Sequence, residues 1–203
     1  RYASAQRARP SAPAHPPPPI RPRPSAPAHP PRTIPDMPND MTPPVPAPPE
    51  AFKAGMALLA GAATIVATDG PGGRAGFTAT AVCSVTADPP TLLACVNTAA
   101  SAAPAFAAND AVSINVLTPA QSGTAHVFGG KTPMDMRFGP EWTPGAHGAP
   151  VLEGSLVVFE TKIVDRVRMG THDVMFCRVL AVHVTDAAPE AAVWWNRAMR
   201  TLA

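Results

Sequence analysis

From residue 48 onward, apolar side chains recur in two rhythms, and each rhythm predicts a kind of element. In "PPEAFKAGMALLAGA" (48–62), Phe52, Met56 and Leu59 fall at helical spacing. Pro precedes the pattern, an acid sits in its first turn and Gly61 follows it, which predicts a short amphipathic helix. "TIVAT" (64–68) and "RAGFTATAVCSV" (74–85) are strand-like, and "DGPGG" (69–73) between them is a turn, so this stretch predicts a hairpin. "TLLACVN" (91–97) reads as a buried strand and "AVSINVL" (111–117) as another. Between them, Ser101 is placed to cap a helix through "AAPAFAAND".

The alternation is clearest in the C-terminal half. Val157, Phe159, Thr161, Ile163 and Val167 share one face of "LVVFETKIVDRV". Val174, Phe176, Leu180, Val182 and Val184 share one face of "DVMFCRVLAVHV", and "RMGTH" (168–172) joins the two as a hairpin turn. Many short strands with few brief helices predict a mainly β fold, a closed or split β-barrel. A doubly wound parallel sheet fits poorly, because its crossover helices are missing.

The pattern fails before residue 50. Residues 1–49 hold 18 of the 28 prolines, and "RPSAPAHPP" occurs there twice, at 9–17 and 23–31. This segment predicts a disordered, extended N-terminal extension, and residues 50–203 a single folded domain. Met37 and Met41 precede the domain closely, so translation starting at one of them is the expectation for the working protein. Six Arg and no acid fall in residues 1–35, leaving ten basic against fourteen acidic residues beyond. The domain is therefore acidic and offers no basic footprint for nucleic acid. No apolar run approaches the length of a membrane span, and the N-terminal stretch lacks the apolar core of a signal peptide. Cys83, Cys95 and Cys177 lack metal-site spacing, which predicts buried free thiols and a cytoplasmic protein.

Three patches remain for chemistry once dinucleotide-fold, P-loop and hydrolase motifs are found absent. "GFTATAVCSVTADPP" (76–90) puts small and hydroxyl side chains where a strand usually has bulk. That gives a flat ligand access to the backbone, although an ordinary strand with Thr on its solvent face reads the same way. "CVNTAASAAPAF" (95–106) leads a strand into a helix start, where Ser101 serves as a cap, an anion contact or both. In "GTHDVMFC" (170–177), His172 stands where a turn enters a strand, either solvated or facing a ligand.

Taken in this order, with "FGGKTPMDMRF" (128–138) and "GAPVLEG" (148–154) between them, the patches resemble the flavin reductase-like family, short-chain NAD(P)H:flavin oxidoreductases. The resemblance runs from about Phe52 to Trp195. It implies an FMN-binding split barrel, a homodimer with flavin at each subunit interface, and no metal. Gly76, Phe77, Thr78, Ala79, Thr80 and Ala81 would lie along the isoalloxazine. Cys95, Val96, Asn97, Ser101 and Ala102 would hold the ribityl chain and phosphate, with Phe128 and Gly129 packing nearby. His172 would stand at the nicotinamide side. Many members carry Arg or Lys directly after the Asn; Thr98 stands there instead, so Arg74 or Lys131 would supply that charge.

The implied reaction is hydride transfer from C4 of NADH, or NADPH, to N5 of FMN, with FAD as the other flavin. A partner flavin-dependent monooxygenase would receive the reduced flavin. The pyrimidine-degrading subgroup is the most alike in sequence, and 4-hydroxyphenylacetate-type reductases are next. Two other readings stay open. One is a reductase of another acceptor, such as a corrinoid, and the other is a flavin-binding barrel without turnover.

Overall fold

The computed structural model describes residues 45–185 and 190–202. The Pro-rich extension, its repeat and the two candidate starting methionines lie outside these residues, apart from Val45 to Pro49. Helix α1 (Pro49–Leu58) opens the domain, followed by β1 (Gly61–Ala62), β2 (Thr64–Thr68), β3 (Ala75–Ala79), β4 (Val82–Ala87) and β5 (Pro90–Asn97). Then come α2 (Ala103–Ala108), β6 (Ala111–Val116), α3 (Ser122–Gly129), β7 (Trp142–Pro144) and β8 (Pro150–Leu152). Two long strands, β9 (Val157–Met169) and β10 (His172–Val184), precede the C-terminal hairpin β11 (Ala191–Trp195) and β12 (Ala198–Leu202).

Seven strands pair in the order β3-β2-β6-β9-β10-β5-β4, all antiparallel. The two edge strands, β3 and β4, are consecutive in the chain, with only Thr80 and Ala81 between them. The sheet must therefore curl until its edges nearly meet, yet β3 and β4 do not pair. This is a split barrel, and the split lies where "RAGFTATAVCSV" was expected to continue as one strand. Strand β2 shows why the barrel is stable: all five of its residues are buried. Val66 enters one apolar cluster with Phe106, Ile114 and Met175. Ile65 and Ala67, pointing the other way, enter a second with Leu117, Phe128 and Trp142.

The β9–β10 hairpin forms with Gly170 at φ +57° in its turn, as the sequence predicted, but its inner face differs. On β10 the core side chains are Met175 and Cys177, while Leu180, Val182 and Val184 are exposed. Val167 on β9 is exposed as well. Both faces of this ribbon are apolar, so periodicity alone does not say which one turns inward. Register shifts beside Cys177 and after Val179 also break the alternation. Helix α1 forms too, but Phe52, Met56 and Leu59 stay exposed. Of the three free cysteines, only Cys177 is fully buried, and Cys83 is exposed. Burial pushes the Cys177 thiol up to about 11.

One buried charge lies far from the split. Glu160, 2% exposed, accepts from the His147 amide (2.9 Å) and from His183 Nε2 (2.7 Å). Burial pushes its carboxyl up, but the His147 amide and the His183 ring outweigh this and hold it below the usual carboxylate range. A carboxyl lowered by folding stabilises the fold above its unfolded pKa, about 4.3, and that contribution is lost as pH falls through the lowered value. Glu160→Gln should therefore reduce the urea midpoint at about pH 7 and shrink the difference between about pH 7 and about pH 3. An unchanged pH dependence in the variant would remove Glu160 from the acid response.

Candidate active site

The split opens into a cleft of about 440 Å³. Its wall on the β3 side is Phe77, Thr78 and Ala79, continued by Thr80 and Ala81 across the break. Because β3 is an edge strand, its outer backbone groups meet no neighbouring strand and can face a ligand, except the Gly76 carbonyl, which accepts from Arg137 Nη1 (2.9 Å). Cys95 and Asn97 at the end of β5, then Ala100, Ser101 and Ala102, form the second wall. Phe128, Gly129 and Gly130 from the end of α3 close the cleft together with Arg137 and His172. A second cavity of about 350 Å³ shares Thr78–Thr80 and Gly129–Gly130 and is capped by Trp194 and Met199.

Gly76 is what lets this wall lie close to α3. A Cβ there would sit 2.7 Å from the Phe128 ring and 3.2 Å from the Val66 carbonyl oxygen. Phe128 cannot retreat, because it is 1% exposed and packs against Phe138 and Trp142, both at 5.1 Å between ring centroids. Thr78 Oγ1 donates to the Ala125 carbonyl (2.6 Å) and fastens β3 to α3. Its proton is thus engaged within the protein.

Residues 97–102 and the 170–172 turn are tied to each other. The Thr98 amide and hydroxyl both donate to the Thr171 carbonyl, at 3.0 and 3.2 Å. Thr98 therefore links two walls of the site at the position where a basic residue was sought. His172 pairs with Asn97 across β10 and β5, and its Nδ1 lies 3.0 Å from Thr171 Oγ1. Asn97 Oδ1 accepts from the Ala99 amide (2.9 Å) and shapes the turn after β5. Ser101 does not cap α2: the capping position is Ala102, with no side-chain cap bond. The helix is too short to supply much dipole.

Three expected residues stand apart. Arg74 is bound to Asp69 (2.9 Å) and lies over the Phe138 ring, outside the cleft lining. Val96 is 2% exposed, its side chain in the barrel core. Lys131 is also absent from the lining. The cation inside the cleft is Arg137, 6% exposed and without a carboxylate partner among the described residues. It lies in "FGGKTPMDMRF", where nothing local separates it from a solvated loop arginine.

The cleft thus offers a bare strand edge, a hydroxyl, an imidazole and one buried cation, and no carboxylate lines it. Such a donor set fits a flat, anionic ligand, and a glycine-bared wall fits an aromatic ring. It does not fit general acid–base chemistry by a carboxyl pair. Fold and cleft together define a flavin-binding split-barrel reductase, and the chain belongs to the flavin reductase like domain family, which matches residues 56–203. The FMN reductase (NADH) RutF of Stutzerimonas stutzeri is 49% identical over 149 residues, spanning 73% of this chain and 85% of that protein. The RutF of Escherichia coli is 46% identical over 154 residues, spanning 75% and 93%. Among solved structures, BorF, the flavin reductase component of a bacterial two-component tryptophan halogenase, superposes with a TM-score of 0.70 at 26% identity. That likeness covers 75% of this chain and 97% of BorF.

Proposed function

We propose that the protein is an NADH-dependent FMN reductase that supplies reduced flavin to a partner monooxygenase, as the RutF similarity suggests, with pyrimidine degradation as the pathway. The observation that supports this most is the composition of the 440 Å³ cleft at the barrel split. It gathers the β3 wall, the Cys95–Ala102 segment, Phe128–Gly129 and His172, and its charge is cationic and buried. Bound FMN would supply the hydride-accepting ring. The chain's residues do the rest: the edge of β3 orients the ring, Ser101 and Arg137 fix an anionic tail, and His172 orients the nicotinamide. Steady-state NADH oxidation by the purified protein, with and without added FMN, tests the reading. Oxidation that rises with FMN supports it, and none at any FMN concentration sinks it.

The reductase domain is residues 50–203, and the Pro-rich extension takes no part in the chemistry. Free thiols support a cytoplasmic location, and no helix among the described residues is long and apolar enough to cross a membrane. The working unit is a homodimer. Exposed Val164, Met169, Leu180, Val182 and Val184 on one hairpin favour a second copy as cover. Light scattering should give twice the chain mass, and Val182→Asp should shift it toward the monomer. A monomeric wild type would refute the dimer.

A further inference from the structure

The unusual group in the cleft is Arg137, because every one of its donors is already engaged. Nε donates to the Thr132 carbonyl (3.0 Å), and Nη1 to the carbonyls of Gly76 (2.9 Å) and Phe128 (3.1 Å). Nη2 donates to the Gly130 carbonyl (3.3 Å) and to Ser101 Oγ (3.3 Å). A guanidinium has five N–H donors and accepts nothing, so no undivided donor remains for a ligand. It also means that Ser101 Oγ must be the acceptor in its bond to Arg137. The single Ser101 proton then has to point elsewhere. It is not used to cap α2, and Ser101 is exposed on the cleft wall. Arginine's charge, held in a site of low dielectric without a carboxylate, adds attraction for an anion at the same end.

We propose that Arg137 is a positioning residue that commits the Ser101 hydroxyl as a donor toward the phosphate of the flavin, so that the cleft distinguishes FMN from unphosphorylated riboflavin. This rests on the flavin reading above. Ser101 alone would be a rotor able to accept or donate; under Arg137 it is a fixed donor. Lysine cannot substitute, since a compact ammonium with three protons cannot span acceptors on β3, α3, the 130–132 loop and Ser101.

The test is equilibrium titration of FMN and of riboflavin by flavin fluorescence. It uses wild type, Ser101→Ala, Ser101→Thr and Arg137→Lys, with thermal unfolding run alongside. Wild type is expected to favour FMN over riboflavin. Ser101→Ala should weaken FMN by about tenfold or more and leave riboflavin within about twofold, while Ser101→Thr restores the preference. In Arg137→Lys the FMN preference should collapse, and adding Ser101→Ala to it should cost far less than in wild type. Equal weakening of both flavins, or an unchanged FMN to riboflavin ratio in Ser101→Ala, would overturn the proposal even if Arg137→Lys fails to fold. If wild type binds neither flavin, the functional reading fails instead.

Discussion

His172→Ala is expected to lower NADH-dependent flavin reduction by about 10–100-fold while leaving FMN affinity within about threefold of wild type. His172 stands at the start of β10, half-buried, and its backbone is fixed from both sides by pairing with Asn97 and Met169. The ring is further oriented by its contact with Thr171 Oγ1. Because the main chain is held by the sheet, removing the ring leaves the walls in place. Its loss should therefore appear in the positioning of the nicotinamide, where misplacement of about 1 Å costs on the order of a hundredfold in rate. Stopped-flow reduction under anaerobic conditions and FMN titration separate the two effects. A variant that loses binding and reduction in equal measure would show that His172 shapes the cleft and does not serve the hydride donor.

Gly76→Ala should destabilise the protein by about 1–3 kcal/mol and weaken FMN at least several-fold. The added carbon would meet Phe128 at 2.7 Å, closer than real Cβ contacts come, and one of β3 and α3 has to move. The aromatic packing of Phe128, Phe138 and Trp142 opposes movement of α3, so β3 shifts. That displaces the Gly76 carbonyl from Arg137 and the Thr78 hydroxyl from Ala125. Gly123→Ala in α3 is the control: no atom lies within 4 Å of its new carbon, and the change should be neutral or slightly stabilising. Denaturant midpoints measured with FMN titrations check both variants. A wild-type midpoint for Gly76→Ala would mean that the close approach is not needed.

The parts of the fold read most directly from sequence were those where one local rule decides. "DGPGG" between two strand-like runs forms the β2–β3 turn, and "RMGTH" turns β9 into β10. The failures have a common physical origin in tertiary context. The break at Thr80 and Ala81 follows from closing a sheet into a barrel, and no local preference in "TATAV" announces it. The inner face of β10 is not legible locally, because Leu180, Val182 and Val184 have the composition of core and are left outside. Ser101 looked like a cap because Ser before Ala and Pro favours one; Arg137, 36 residues away, engages it instead. Arg137 itself was not legible, since its role depends on four carbonyls brought together only by folding. The cleft's other parts were legible as small residues, a hydroxyl and a histidine in a familiar order.

The central claim, that the cleft at the split, walled by β3 and residues 95–102, is the flavin site, is tested most directly by a crystal structure of the protein with FMN bound. The phosphate is expected beside Ser101, with the Arg137 guanidinium behind it, and the ring along Gly76–Ala81 with His172 near one face. Density for FMN elsewhere, such as a cavity of about 450 Å³ lined in part by Glu160 and His183, with an empty split at saturating FMN, would contradict the account.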